Sequence, residues 1–365
     1  MDFADLDAAF ASLIEAARDR RIVAVVGTDD GSTELAARLS QHWRLPHNPP
    51  HAVLLARRKD RARARLAQAG VRVPVHCAID LCAPLAPQIA DVAFPCVVKP
   101  VALSASRGVI RADDAPALMR AIARAQAIAR ESTGSEERER LLIESYVPGV
   151  EVAVEGLLRA GQLEILAIFD KPDPLEGPFF EETYYIAPTR LSGVTQKAIA
   201  ETVTSACAAY GLREGPVDAG GRLHGHGGWL VGVAARTIGG LCGRLLRFGT
   251  GLSLEDIVLM HASGAAIPRV EDHGGAGVLM IPIPQAGILR RVEGVVAAER
   301  VPYIEEVTIQ VREGYELVPL PEGASYLGFI FARAPTPALA ERALREAHAC
   351  LRIVVAPLWP LTAGP

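Results

Sequence analysis

The stretch from Gly215 to Arg236 constrains this chain most: Gly-Pro-Val-Asp-Ala-Gly-Gly-Arg-Leu-His-Gly-His-Gly-Gly-Trp-Leu-Val-Gly-Val-Ala-Ala-Arg. It reads as strand, Gly-rich turn and strand, with His224 and His226 in the turn. Gly220 and Gly232 fall inside the two strand patterns, where glycine offers no side chain and weakens a sheet. Asp218 lies two residues before Gly220, so the two share a strand face. A two-residue step nevertheless moves a side chain by about 6–7 Å.

The remaining sequence describes a mixed α/β chain. At 365 residues it is too long for one compact core and suits two or three parts. With 38 basic against 42 acidic residues, a formal charge of -4 and no Lys/Arg block, neither nucleic acid nor an anionic membrane is expected as a partner. The Arg-rich run Arg57 to Arg65 reads as the solvated face of a helix. No apolar run approaches the roughly 20 residues that span a bilayer, and the amino terminus has no signal-peptide pattern. Cysteines stand singly at 77, 82, 96, 207, 242 and 350, which suits reduced, mostly buried thiols in the cytoplasm and argues against a zinc site.

Three parts are expected: 1–88, 89–265 and 266–365. The first shows a helix (Asp5 to Arg18), an apolar strand (Arg21 to Gly27), a helix (Ser32 to Trp43) and a further helix (His51 to Ala69) stopped by Gly70. The turn at Thr28-Asp29-Asp30 lacks the Gly-x-Gly-x-x-Gly spacing and reads as a plain strand-to-helix turn. The second part carries strands near 95–100, 140–147 and 151–158 and a helix from Ala115 to Glu131. The third holds a strand near Gly277 and a closing helix from Pro337 to Cys350.

Lys99 is the one lysine in the apolar strand Pro95-Cys-Val-Val-Lys-Pro100. Burying an ammonium is costly unless it meets an anion. The loop after it offers Ser104, Ser106, Arg107 and Gly108, that is, hydroxyls, a guanidinium and open backbone N–H groups suited to a polyphosphate.

In chain order, Val98-Lys-Pro100, that loop, Glu144-Ser-Tyr-Val-Pro-Gly-Val-Glu151, Asp170-Lys-Pro172, Phe180-Glu-Glu-Thr183 and Ala234-Ala-Arg-Thr-Ile-Gly-Gly240 resemble the ATP-grasp superfamily. The branch they resemble is the carboxylate-amine ligases, which include L-amino-acid ligases. The resemblance implies a pre-ATP-grasp α/β domain, a two-part ATP-grasp core and a C-terminal α+β domain. It implies ATP and Mg2+ as cofactors, a small carboxylate or amino acid as substrate, and amide formation through an acyl-phosphate. A homodimer or an active partner ligase is the protein partner it allows. Lys99 would contact phosphate, with Ser104 to Gly108 as a mobile lid. Glu144, with backbone groups at Tyr146 and Val147, would read the adenine edge, and Glu151 would hold the ribose. Arg236 would be catalytic, stabilising charge that develops on the reacting groups. Glu181, Glu182, Gly239 and Gly240 would face the substrate.

The resemblance also puts two metal-binding glutamates at positions that are Gly220 and Gly232 here. Three readings stay open: rescue of the metal by a neighbour, Asp218 first, then Asp170 or Glu155; a degenerate protein that binds nucleotide without turnover; or an otherwise active enzyme altered at this site alone. His224 and His226 do not suit magnesium, which prefers oxygen ligands.

Overall fold

Residues 5–131, 134–225, 227–246, 251–268 and 274–358 are described by the structure, a computed structural model. Helices Leu6–Ala16 and Thr33–His42 pack through Ala9, Leu35 and Leu39. The stretch Arg21 to Gly27, expected as a strand, joins no sheet. Its apolar side chains still pack: Val25 lies against these helices and Val26 against the central core. In the turn that follows, the Asp29 carboxylate accepts the N–H groups of Gly31 and Ser32, a plain Asx turn into the helix.

The helix expected over His51 to Ala69 is two helices, Pro50–Arg57 and Lys59–Gln68, divided at Arg58 (φ -90°, ψ 97°). The Arg58 guanidinium grips Asp60 with two hydrogen bonds, 3.1 and 2.8 Å, and Glu136 at 3.0 Å. That arrangement also overturns the solvated-face reading of the Arg-rich run. Arg58 and Arg63 are buried, while Arg61 and Arg65 face outward. Gly70 ends the second helix at φ +75°, a conformation glycine adopts without strain.

Strands β1 (His76–Asp80), β2 (Cys96–Pro100), β3 (Ile110–Ala112) and β4 (Arg140–Ser145) form an antiparallel sheet in the order β1-β4-β2-β3. Helix Ala115–Ala129 covers it with Leu118, Ala121, Ile122 and Ala125, its first turn capped by the Asp114 carboxylate. The chain continues through β5 (Val150–Arg159), β6 (Gln162–Lys171), β7 (Tyr184–Ala187), β8 (Gly215–His224), β9 (Gly227–Ala234), β10 (Gly275–Ile281), β11 (Gly287–Glu293), β12 (Ile304–Ile309), β13 (Glu316–Leu317), β14 (Gly328–Ala334) and β15 (Arg352–Ala356). Eight of these make one sheet, β12-β14-β10-β7-β6-β5-β8-β9, and β13-β11-β15 make a small third one.

Strand alternation in β5 sets what faces the site. Val152 and Val154 pack on helix Gly193–Tyr210, while Ala153 and Leu157 meet Phe169 on the opposite side. Glu151 and Glu155 share the Ala153 side. The last third of the chain extends the eight-stranded sheet through β10, β12 and β14, covered by helix Pro337–Cys350 as expected. Among the described residues no helix is long and apolar enough to cross a membrane. All six cysteines are free, and Cys96, Cys207 and Cys242 are buried.

Candidate functional site

The four-stranded and eight-stranded sheets line a cleft of about 290 Å3. One wall begins with β2 and β4. Val97 pairs in register with Glu144, so Lys99, two residues on, reaches the same face. Its ammonium lies 2.5 Å from Glu144 Oε2, and the Arg63 guanidinium holds the other carboxylate oxygen. Burial alone would raise the Glu144 carboxyl; the Arg63 and Lys99 cations outweigh it and hold the group down at about 2. The side chain of Glu144 is thus committed to two cations. The Tyr146 N–H is likewise engaged, donating to Pro95 O at 3.0 Å.

Two further cations come from helix Lys59–Gln68, and sequence reasoning missed both. Lys59 and Arg63 stand four residues apart on one helix face. Arg63 also donates to Leu230 O (3.1 Å) and Val231 O (2.6 Å), tying this helix to β9. Lys59 donates to Leu103 O, and its own N–H to Val101 O at 2.8 Å, so it anchors the start of the 104–108 loop. Withdrawal from water lowers Lys59 to about 8; Lys99 and Arg63 add to the fall, and Asp30 and Glu144 oppose it. The available signal was Ala62 and Leu66, which mark the buried face beside Arg63.

Of the loop, Ser104 and Ser106 line the cleft. Arg107 and Gly108 do not. Arg107 Nε donates to Glu322 O at 3.0 Å and its Nη2 meets Glu131, while Gly108 N–H donates to Pro321 O at 2.9 Å. The expected lid is therefore pinned to the last third of the chain in this structure.

The floor comes from β5 to β9. Glu151 lies between the Lys171 ammonium (2.8 Å) and Arg222 Nε (2.9 Å). Burial favours its neutral form, but these two cations lower it below the ordinary carboxylate value. Arg222 also donates to Val147 O at 2.8 Å and lies over the edges of the Tyr146 and Phe180 pair, 5.2 and 5.7 Å from their centroids. Lys171 reaches Glu182 as well (2.6 Å), and the Tyr185 hydroxyl donates to the second Glu182 oxygen at 2.6 Å. Glu182 lines the cleft; Glu181 lies outside it, its carboxyl raised by burial and accepting the Ile283 N–H. Gly239 and Gly240 also lie outside the cleft. Gly240 packs against Met280 at φ +64°, where a Cβ would meet Sδ at 2.2 Å.

At the far end, Gly220 and Gly232 pair across β8 and β9. Both line the cleft, and a Cβ at either meets nothing within 4 Å. Arg236 contacts Asp218 at 2.5 Å and Asp30, from the Asx turn, at 3.1 Å. Burial raises the Asp218 carboxyl despite that contact. Glu155, the register partner of Asp218, is fully buried. One of its oxygens accepts the Ile238 N–H at 2.8 Å; the other has no partner among the described residues. Burial, with the Asp218 carboxylate second, pushes Glu155 well above the ordinary range. Asp170 serves elsewhere, accepting from the Thr189 hydroxyl and from Arg190 at 2.9–3.0 Å. His224 is exposed beyond the floor, and His226 lies outside the described residues. Among the described residues no group of three or more His, Cys, Asp or Glu could hold a metal ion.

Two family descriptions match the chain: an ATP-grasp domain over residues 92–244 and an L-amino acid ligase C-terminal domain 2 over residues 279–356. The uncharacterized protein y4rH of Sinorhizobium fredii is 23% identical over 349 residues, which are 95% of this chain and 71% of that one. The L-amino acid ligase of Bacillus licheniformis is 27% identical with a TM-score of 0.85, over 97% of this chain and 86% of that one. The biotin carboxylase domain dimer of the 2-oxoglutarate carboxylase from Hydrogenobacter thermophilus, solved with MgADP, ADP and bicarbonate, is 17% identical with a TM-score of 0.68. It covers 95% of this chain and 78% of its own, and at that identity the likeness is one of fold. The architecture is the ATP-grasp fold.

Proposed function

We propose that this chain, an ATP-grasp domain followed by an L-amino acid ligase C-terminal domain, binds ATP in the cleft without driving the ligase reaction by the metal route. The observation that carries this reading is the open pair Gly220 and Gly232, facing each other where the resemblance puts metal carboxylates.

Magnesium, when bound in such ligases, neutralises charge on the transferring phosphoryl group, and it takes oxygen ligands at about 2.0–2.1 Å. The donor set here does not fit it. Two glycines supply no ligand, and Asp218 and Asp30 are both held by Arg236. Glu155 favours its neutral acid form, and Asp170 belongs to another network. Rescue by Asp218 would need that carboxylate to leave Arg236 and cross a two-residue step of about 6–7 Å.

The nucleotide half keeps its chemistry. Lys99 and Lys59 stand where phosphates would lie, with the Ser104 and Ser106 hydroxyls beside them. Val97, Val109 and Val147 give an apolar wall for a base, near Glu151 for the ribose. Arg236 and Glu182 would orient a small carboxylate or amino acid. Glu181, Gly239, Gly240, Arg107 and Gly108 take no part in this pocket. Such a protein would act as a nucleotide-binding or partner-binding subunit.

Calorimetric titration with ATP and phosphate-release assays with Mg2+ and mixed amino acids test this reading. ATP binds and release stays at background. Release that depends on both Mg2+ and an amino acid would overturn the proposal. Restoring Gly220→Glu and Gly232→Glu together raises ATP consumption about tenfold or more, on the scale of regained charge stabilisation.

A further inference from the structure

We infer that the cleft takes its nucleotide as the magnesium-free polyanion, with side chains in place of the metal ion as the countercharge. This rests on the reading above that the cleft binds a nucleotide.

The charge balance of the walls argues for it. Seven Lys and Arg side chains line the cleft against five Asp and Glu, and Arg57 is answered by Glu137 just outside it, which leaves a surplus of about one positive charge. Glutamates at positions 220 and 232 would reverse that surplus, and a triphosphate would then need a metal to enter a negative cleft. The glycines leave the surplus standing.

The surplus is also placed where phosphates would sit. Lys59, Arg63 and Lys99 gather around one carboxylate, Glu144. Lys59 itself makes no ion pair with a carboxylate among the described residues; its ammonium spends a bond on the Leu103 carbonyl. Burial from water is the main cause that depresses the Lys59 ammonium to about 8, and Lys99 and Arg63 add to it. An arriving phosphate would supply the anion that this buried cation lacks at contact distance. At the other end Arg236 is restrained by Asp30 and Asp218, which keeps those two carboxylates from repelling the anion as free charges.

Free ATP carries about two more negative charges than its magnesium complex, so the surplus favours the free form. Each charge met at partly buried distances is worth more than the 1.4 kcal/mol that corresponds to tenfold in affinity.

Titration of the full chain with ATP at pH 7, once in EDTA and once in excess Mg2+, tests the inference. Binding in EDTA is expected to be about tenfold tighter or more. In EDTA the affinity rises from AMP to ADP to ATP, and this series depends on no variant. The double substitution Gly220→Glu with Gly232→Glu shifts the preference back toward Mg2+. Equal affinity, or tighter binding with Mg2+, overturns the inference and leaves nucleotide binding intact. No binding under either condition overturns both.

Discussion

A carboxyl group with one oxygen sealed from water and from every partner is an unstable place for a charge. Glu155 is in that position, with the Asp218 carboxylate as its neighbour across the strands. Its folded proton affinity is raised by burial first and by Asp218 second. In the unfolded chain it titrates near 4.3. Between that value and its raised folded value the folded state binds more protons than the unfolded one, so stability from this group falls as pH rises. Glu155→Gln, which cannot ionise, is expected to gain on the parent chain as pH rises. The two should differ least near pH 4, and the variant should be about 1–3 kcal/mol more stable at pH 8, the range for an unpaired buried polar group. Melting temperatures of both chains across pH 4–8 measure this; parallel curves would sink the argument. Lys99 was legible because one ammonium in an apolar strand demands an anion. Glu155 was weighed only as a metal substitute, since alternation places it on a face but does not reveal that Arg236 and Ile238 would close over it.

Among elements, the hairpin of β8 and β9 was the most legible, because glycines between alternating apolar residues admit little but strand, turn and strand. Its facing partners emerged only in the fold, where an irregularity beside Gly220 pairs it with Gly232 and Gly221 with Leu230. Local pattern failed where tertiary partners decide. Arg21 to Gly27 has strand-like residues but pairs with no strand among the described residues, and the helix expected over 51–69 breaks where Arg58 turns to Asp60 and Glu136. The same element-level view separates the glycines. Gly220 and Gly232 have ordinary backbone and empty space above them, whereas Gly240 combines φ +64° with Met280 at 2.2 Å. Gly220→Ala and Gly232→Ala should each stabilise by about 0.5–1 kcal/mol through lost unfolded-state freedom. Gly240→Ala should destabilise by about 1–3 kcal/mol through strain and overpacking. Urea denaturation of the three variants decides it, and a common sign for all three would contradict the geometry.

Across the whole molecule, the 101–108 loop is held from both ends of the chain. Lys59, from the first third, fixes Val101 and Leu103; Pro321 and Glu322, from the last third, fix Gly108 and Arg107. The Glu322 carboxylate is itself clamped by Arg124 with bonds of 2.6 and 2.9 Å. The pair is about half exposed, so its direct worth to global stability is below about 1 kcal/mol. Its structural effect is larger, because it locates the segment whose carbonyls hold the loop. Glu322→Ala is therefore expected to leave the melting temperature nearly unchanged while amide exchange at Gly108 and Val109 speeds up several-fold, a local opening without global unfolding. Hydrogen–deuterium exchange resolved to these residues makes the comparison. Unchanged exchange would mean that the Pro321 carbonyl holds the loop without help from the ion pair. A matching fall in melting temperature would mean instead that the clamp belongs to the core and not to the loop.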